Sequence, residues 1–520
     1  MRGQAPWITW SDLAYALVPN GSTLDYAAEN PYRGRFGVEK QSLASGLYVS
    51  GLAAPGFYAP EGTPGADLTG WRNFLNAGEP YQNPTAQTIL DVFTRFKSSY
   101  YINPSVEPAP TLYANGFTDD LFPVDEAVRY FNMVKENHPG AKLSLFAAEI
   151  AGHPRSANEG EVLTELFSRQ AAWLDFYVKG EGSEPEEGVR AIEQTCPAEA
   201  GAGPTHTADS WAELAPGEVR IQDSTKYTIA PDSGDPAIAQ AFDPVSGQGS
   251  CAQVEQKTED GTVEYVFPPS PGKGYTLLGS PTMIADFKLP GDTSQVAARL
   301  LDVAPDGTER LVARGLWRPA TGGPKKQVFQ LHPNGWHFEE SHVPVLQLLA
   351  KDAGGNALNS YGRPSDNQQP VTVENADVRL PVAERPGALK GYVAAPAPKF
   401  VPKGYELAQD FADLKRPELK LGKSTLKLRN DNRSVSTSVT CPKQFDACFD
   451  VRAKVKGGGF TIAQGDVDRK IKGGATEQGN LKTTRKARAY FEDHSKAKAK
   501  VVLKSLTTPG KTTDKGKVKG

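Results

Sequence analysis

The stretch from residue 109 to residue 123 reads Ala-Pro-Thr-Leu-Tyr-Ala-Asn-Gly-Phe-Thr-Asp-Asp-Leu-Phe-Pro. Its first part is a short apolar segment bounded by proline and glycine, which predicts a buried β-strand. Two carboxylates, Asp119 and Asp120, follow directly after that strand. The stretch therefore places two acidic side chains at the carboxyl end of a strand, and the neighbouring elements determine which residues they contact.

Helix and strand patterns alternate after this stretch. Residues 125–138 carry apolar side chains on one helical face, and Gly140 lies just beyond them as a stop signal. Residues 141–148 form a second apolar strand, and residues 161–178 form a second amphipathic helix that ends at Gly180. Strand, helix, strand and helix at this spacing predict an α/β unit with a right-handed crossover.

A histidine follows the second predicted strand, in the sequence Gly-His-Pro-Arg at residues 152–155. Because the carboxyl ends of neighbouring parallel strands meet at one edge of an open sheet, His153 and Asp119 are expected on the same edge. The carboxylate would hold the imidazole tautomer, and the imidazole would activate a nucleophile as a general base. The alternative is structural: an aspartate that caps the helix near Asp125, and an ordinary loop histidine.

The remainder of the 520-residue chain divides by composition, and a chain of this length holds more than one core. Residues 181–203 are rich in Glu, Gly and Pro and are typical of a linker. Short apolar segments between turn residues predict an all-β sandwich over residues 205–390. A further β-rich region covers residues 415–506, and the Lys-, Gly- and Thr-rich residues 507–520 are expected to be disordered. The fold class is therefore multidomain, α/β followed by all-β.

The net charge of −3 conceals an asymmetry along the chain. Residues 401–520 contain 27 Lys and Arg against 13 Asp and Glu, a net charge of +14, and the first 400 residues carry −17. A basic region on an acidic body favours binding to a polyanion of the cell envelope. The alternative is a basic module whose charges are simply solvated by water. We expect no nucleic-acid partner. Since no run of 18 apolar residues occurs, no transmembrane segment is expected either.

The chain contains four cysteines, Cys196, Cys251, Cys441 and Cys448. An even number with one closely spaced pair favours disulfides and an oxidising compartment, and four buried free thiols are the alternative. Cys441 and Cys448 flank a short polar loop, so we predict a disulfide between them, which leaves Cys196 and Cys251 as the second pair. No zinc-site spacing surrounds these cysteines, and we expect neither a metal nor a cofactor.

The motifs around Asp119 and His153, with the helix end Trp-Leu-Asp-Phe-Tyr-Val-Lys-Gly, resemble the final third of an α/β-hydrolase. The resemblance is to the X-Pro dipeptidyl-peptidase and cocaine-esterase-like hydrolases. It implies a catalytic acid at Asp119 and a catalytic base at His153, in the chain order of that fold. Asp119 is preferred to Asp120 because the family's acid directly follows a Gly-x-x turn.

The same resemblance implies a domain organisation. Residues 1–182 would be a partial α/β-hydrolase domain, with a helical cap at about 12–105 and the acid- and histidine-bearing strands within 107–180. The family places a jelly-roll β-sandwich next, and segments such as Leu-Gly-Ser-Pro at 278–281 are similar to that module over residues 205–390. Residues 415–506 resemble a small immunoglobulin-like β-sandwich of secreted bacterial proteins.

The sequence departs from the family at the nucleophile. The family's serine lies in a Gly-x-Ser-x-Gly-like turn upstream of the cap, and no such pentapeptide occurs here. The resemblance therefore implies the C-terminal part of a serine hydrolase, acting on peptide or ester bonds through an acyl-enzyme and inactive until a nucleophile segment is supplied.

Localisation follows from the same reasoning. The first residues are not a signal peptide, so an extracellular or envelope-associated protein would carry its signal upstream of Met1. A non-catalytic protein that binds the cell envelope is the alternative function. The sequence leaves the choice between amide and ester substrates open.

Overall fold

The computed structural model describes most of the chain, and Gly152 and Pro154 of the histidine motif lie outside the described residues. The described ranges are 2–20, 36–53, 58–78, 81, 84–99, 105–150, 153, 155, 159–291, 294–318, 325–364, 369–400, 418–443, 447–505 and 511–520. The chain forms two compact units. The first comprises Met1–Tyr100 and Pro104–Asp410, and the second comprises Tyr101–Asn103 and Phe411–Gly520.

A helical segment opens the first unit. Its helices are α1 (Leu13–Leu17), α2 (Gln41–Leu52), α3 (Leu68–Ala77) and α4 (Pro84–Phe96). Asp12 and Asp67 precede α1 and α3, and each carboxylate accepts a backbone N–H of the first helical turn. Apolar side chains of α1, α3 and α4 share one buried cluster, which includes Trp71 and Ile89. The segment therefore has a core of its own.

A four-stranded sheet follows, in the order β1 (Thr111–Gly116), β2 (Leu143–Ala148), β3 (Gly188–Ile192) and β4 (Thr205–Ala208). The first three strands are parallel and the last is antiparallel. The two crossover helices are α5 (Val124–Asn137) and α6 (Glu159–Leu174), the latter continued by a π-helical turn over Asp175–Lys179.

The two crossover helices cover opposite faces of this sheet. α5 packs against Tyr113 and Leu145, whereas α6 packs against Leu112 and Phe146. Every residue of β1 and β2 is buried, as expected of parallel strands covered on both faces. The segment at residues 4–8 runs parallel to the outer edge of β1. The α/β unit predicted from the sequence is thus present.

The sheet extends beyond residue 182, where the sequence predicted the α/β region to end. β3 lies inside residues 181–203, which we interpreted as a linker, and β4 begins at residue 205. Both strands are four or five residues long, so the Glu-, Gly- and Pro-rich sequence around them hides their pattern. Their pairing to β2 and to each other, rather than their composition, identifies them as strands.

The rest of the first unit is dominated by two antiparallel sheets. Its strands are β5 (Gly217–Asp223), β6 (Tyr227–Ile229), β7 (Gln253–Glu255), β8 (Val263–Val266), β9 (Tyr275–Gly279), β10 (Thr282–Lys288), β11 (Val296–Val303), β12 (Thr308–Trp317), β13 (Lys326–Gln330), β14 (Asn334–Phe338), β15 (Val343–Leu349) and β16 (Val371–Val382). Short helices accompany them: a 3-10 turn (Ala198–Ala200), α7 (Trp211–Leu214), α8 (Pro236–Ala241) and α9 (Ala388–Gly391).

One sheet has the order β13-β10-β16-β9-β14, with β5 and β6 also paired to β16, and the other has the order β7-β12-β11-β15-β8. A single buried cluster draws side chains from both sheets, including Tyr275 from one and Leu346 from the other. The two sheets therefore pack face to face as a β-sandwich.

The second unit is a closed β-barrel. Its elements are β17 (Lys420–Leu421), β18 (Thr425–Arg429), β19 (Ser434–Thr440), β20 (Ala447–Gly457), β21 (Phe460–Lys472), β22 (Thr476–Thr483), α10 (Arg485–Asp493), β23 (Lys496–Lys504) and β24 (Thr512–Lys519). The ring runs β19-β18-β24-β23-β20-β21-β22 and closes where β22 pairs with β19, while β17 adds to β19.

Two predictions for this region are wrong. An immunoglobulin-like sandwich has two separate sheets, whereas the β19–β22 pairing joins all the strands in one ring. The expected disordered tail contains β24, which pairs with β18 and β23 and buries Val518. The alternating lysines resemble a low-complexity sequence because Val518 is the one apolar side chain of β24, and the strands that order β24 are distant in sequence. Residues 507–510 lie outside the described part.

Both cysteine pairs are bonded, Cys196 with Cys251 across 55 residues and Cys441 with Cys448 across 7. Loop closure restricts the unfolded chain more when the loop is longer. We expect C196S/C251S to lower the unfolding free energy of the first unit by about 4 kcal/mol, and C441S/C448S to lower that of the barrel by about 2–3 kcal/mol. Urea unfolding of the two double variants measures both values. A larger loss for the short loop would contradict the loop-length account.

Candidate active site

The two residues predicted as catalytic acid and base are in contact. His153 Nδ1 lies 3.0 Å from Asp119 Oδ1 and 3.1 Å from Oδ2. Asp119 is completely buried, whereas the His153 side chain is 23% exposed. The hydrogen bond places the ring proton on Nδ1, since a carboxylate only accepts. In the neutral ring Nε2 then carries no proton, which is the form that a general base requires.

The turn after β1 fixes the carboxylate of Asp119. Its Oδ1 accepts the backbone N–H groups of Leu121 at 3.0 Å and Phe122 at 2.9 Å. A Cβ on Gly116 would lie 3.3 Å from the Asp119 Cβ and from a backbone oxygen of the next strand's loop, so glycine permits this close approach. Asn115 Nδ2 also donates to the carbonyl oxygen of Phe122 at 2.8 Å. Backbone groups therefore hold the Asp119 carboxylate in place independently of its contact with His153.

Asp120 points away from the histidine. The Arg155 guanidinium donates to its carboxylate through Nε and Nη2, the latter at 3.3 Å. Lys40 Nζ donates to the Asp120 carbonyl oxygen at 2.6 Å, and Arg314 Nη1 lies 3.6 Å from its carboxylate. Arg155 is two residues after His153 and is buried with φ +108°, a conformation that favours glycine. This ion pair anchors the loop that carries the base, and Asp119 alone of the two carboxylates faces His153.

Phe122 contacts the histidine and Trp10 stacks on Phe122, and no sequence pattern indicated this arrangement. The Phe122 ring meets the His153 ring edge to face, with centroids 5.0 Å apart. Trp10 stacks on Phe122 at 4.7 Å and is 41% exposed, while its Nε1 donates to the Lys97 carbonyl oxygen. An apolar group of a reactant can contact this exposed aromatic surface beside the base.

The contacts of His153 Nε2 bear on where an attacking atom could lie. No hydroxyl or thiol there forms a hydrogen bond with His153 Nε2. Ser11 Oγ is committed to Glu126 at 2.8 Å, and all four cysteines are in disulfides. Among the same residues, no group of His, Cys, Asp and Glu is arranged to hold a metal ion. The arrangement can orient the imidazole and accept a proton.

A buried ion network reaches from the sandwich to the loop of the base. The Asp352 carboxylate accepts from Arg299 Nε at 3.1 Å and from Arg314 Nη2 at 2.6 Å. Burial by itself raises the pKa of Asp352, but the two guanidinium groups outweigh it and hold the pKa below its ordinary value. Because Arg314 also lies beside Asp120, charges of strands β11 and β12 support the acid-bearing turn.

Glu39, in the helical segment, is a buried carboxyl group without hydrogen-bond partners among the described residues. Burial raises the pKa of Glu39 to about 8, although the charges of Arg363 and Arg72 oppose the shift. Below that pH the group is therefore protonated in the folded protein.

This carboxyl makes the stability of the first unit pH-dependent. Between pH 4.5 and about 8, folded Glu39 keeps a proton that the unfolded chain releases, so stability is lost as pH rises through this window. We expect the unfolding free energy of E39Q to be about 2–4 kcal/mol higher than that of the parent protein at pH 8. At pH 5 the two values should differ little. Urea unfolding at both pH values measures the effect. E61Q, at an exposed carboxylate, is the control, and parallel pH profiles for E39Q and the parent would contradict the assignment.

No family model and no curated protein matches the sequence. The structure is similar to an aminopeptidase from the marine sediment archaeon Thaumarchaeota archaeon, with 13% identity, a TM-score of 0.45 and 72% of each chain covered. It is similar to a CocE/NonD family hydrolase from Staphylococcus aureus, with 12% identity, a TM-score of 0.44 and coverage of 74% of this chain and 68% of that one. An alpha-amino acid ester hydrolase matches with 13% identity, a TM-score of 0.44 and coverage of 73% and 72%. Similarity at this level leaves the assignment of function to the site itself.

Proposed function

We propose that this chain supplies the acid and the base of a secreted serine hydrolase that cleaves peptide or ester bonds through an acyl-enzyme. The observation that carries the proposal is the buried Asp119 carboxylate on His153 Nδ1, at the ends of adjacent parallel strands. In the same proposal, the helical segment is the cap of a partial α/β-hydrolase domain, and the sandwich is its jelly-roll domain.

Each residue has a role in the reaction that we propose. His153 Nε2 would take the proton of an attacking hydroxyl, and the resulting imidazolium would be stabilised by the Asp119 carboxylate 3.0 Å from Nδ1. The same nitrogen would then return the proton to the leaving amine or alkoxide. Water would release the acyl group by the reverse proton path. The backbone N–H groups of Leu121 and Phe122 keep the Asp119 carboxylate oriented throughout.

The nucleophile in this proposal belongs to a segment beyond the 520 residues. The edge of the four-stranded sheet next to β1 supports a further segment. Residues 4–8 lie along that edge, and no strand among the described residues pairs with their outer side. Trp7 lies there with 37% of its surface exposed and contacts Phe167, which is 48% exposed. Exposed apolar groups beside an open parallel edge fit a place where further strands and helices pack.

Secretion is supported by the two disulfides, which persist in oxidising compartments. No helix in the described part of the chain is long and apolar enough to cross a membrane. The choice between amide and ester substrates stays open.

A fluorophosphonate probe tests the proposal, because it labels a serine only when a nearby base activates the hydroxyl. We expect the gene product that contains the nucleophile segment to be labelled, and its H153A variant to be labelled at background. The 520-residue chain by itself is expected to give no turnover of ester or aminopeptidase substrates. The competing function is a non-catalytic envelope-binding protein, which absence of labelling on the complete gene product would support.

A further inference from the structure

One face of the barrel carries a regular array of lysines. Lys496, Lys498 and Lys500 are exposed on β23, while the intervening Ala497 and Ala499 are buried in the barrel. On the neighbouring strand β24, Lys515, Lys517 and Lys519 are exposed in the same way. We call these six residues the lysine ladder.

The two rows of the lysine ladder lie directly opposite each other. Lys496 pairs with Lys519, Lys498 with Lys517, and Lys500 with Lys515. Directly opposed side chains on antiparallel strands have Cβ atoms about 4.5–5.5 Å apart, and successive outward residues on a strand are about 7 Å apart. Six ammonium groups therefore form a grid of roughly 5 by 7 Å.

The neighbouring strand β20 extends the positive face. Lys456 lies opposite Lys500, and Arg452 lies opposite Lys504. A depression of about 680 Å³ adjoins the lysine ladder and is lined by Arg452, Lys454, Lys456 and Lys504, among others. Asp466 neutralises Arg452 at 2.9 Å. Within the described residues, no acidic side chain forms an ion pair with any lysine of the ladder.

The arrangement works against the stability of the barrel. Like charges that face each other across two strands are destabilising. Exposed lysines often protect a sheet edge from pairing with other chains, but β23 and β24 each have a partner on both sides in a closed ring. Edge protection therefore does not account for the lysine ladder, whereas an anionic ligand would offset the repulsion.

We propose that the lysine ladder binds a linear polyanion of the cell envelope, a flexible polymer with phosphodiester or carboxylate groups along its length. Lysine acts as a point charge without directional demands, which fits a flexible chain better than a rigid planar ligand. On their outward faces the two ladder strands carry no aromatic side chain on which a base could stack, and the single apolar side chain there, Val502, is half-buried and too short to enter a lipid layer. The proposal concerns the second unit and does not depend on the hydrolase site of the first.

The test measures binding of inorganic polyphosphate and of polygalacturonate to the full chain at low and physiological salt. The variant K498Q/K500Q/K517Q removes three charges from the ladder, and R485Q/K486Q/R488Q removes three charges from helix α10 as the matched control. We expect the ladder variant to bind at least about tenfold more weakly and the control to change less than threefold. Affinity for the parent protein should fall as salt rises, because the Debye length shortens to about 8 Å near 0.15 M. The polymer that binds more tightly identifies phosphate or carboxylate oxyanions as the preferred charge.

A folding control accompanies the binding measurement. The thermal midpoint of the ladder variant should equal or exceed that of the parent, because repulsion between opposed lysines is relieved. Equal losses in both triple variants, or binding that does not respond to salt, would overturn the proposal. Tighter binding to duplex DNA or to phosphatidylglycerol vesicles than to either polymer would also overturn it.

Discussion

Replacing Asp119 with asparagine is expected to slow acylation of the nucleophile-bearing gene product by about 10⁴-fold. The backbone N–H groups of Leu121 and Phe122 both donate to Oδ1, so the asparagine amide oxygen must occupy that position. The amide NH₂ then takes the place of Oδ2, 3.1 Å from His153 Nδ1, and donates to it. Nδ1 becomes an acceptor, the ring proton moves to Nε2, and the base can no longer accept a proton from the nucleophile.

The rate of fluorophosphonate labelling measures this effect. D120N is the control, because Asp120 bonds to Arg155 and not to the histidine. It is expected to lower thermal stability and to change the labelling rate of the folded fraction by less than tenfold. A D119N protein that keeps the parent rate would remove Asp119 from the catalytic role. Equal rate losses in D119N and D120N would point to a general disturbance of the turn.

Replacing Asp352 with alanine is expected to lower the unfolding free energy of the first unit by about 3–5 kcal/mol. Asp352, Arg299 and Arg314 are each no more than 1% exposed at the side chain, so water cannot replace the lost carboxylate. Arg299 would retain Glu259 at 2.9 Å, whereas Arg314 would retain only the more distant Asp120 carboxylate at 3.6 Å as its charged partner among the described residues. The loss arises because the buried Arg314 guanidinium would keep weaker charge compensation than it has in the parent protein.

Urea unfolding followed by a probe in the first unit measures the loss. D175A is the matched control, because the Lys179–Asp175 pair also lies in the first unit, is exposed on both sides, and its removal should leave stability nearly unchanged. A D352A protein as stable as its parent would show that the network is solvated in solution.

The sequence by itself was sufficient for the local features of the site. Apolar runs identified β1 and β2, and the residue types after each strand identified Asp119 and His153. Parallel strands bring their carboxyl ends together, so the contact between these two residues follows from local pattern and one topological rule. The number and spacing of the cysteines favoured the disulfides for the same reason, since the signal lies in the residues themselves.

Only the tertiary structure decided the features that depend on distant pairing. β3 has five residues in a Glu- and Pro-rich stretch. It forms a strand because its backbone pairs with β2. The pairing of β19 with β22 turns a predicted sandwich into a barrel, and β24 is ordered by neighbours about 90 and 20 residues earlier in the chain. The lysine ladder exists only in that register.

Burial is the other property that sequence pattern did not supply. Glu39, Asp352 and Arg314 are charged residues that composition assigns to the surface, yet all three are buried where the helical segment, the sheet and the sandwich meet. Sequence periodicity reports which face of an element is apolar. It does not report which elements pack together, and that packing determines which charges lose their water and must find partners within the protein.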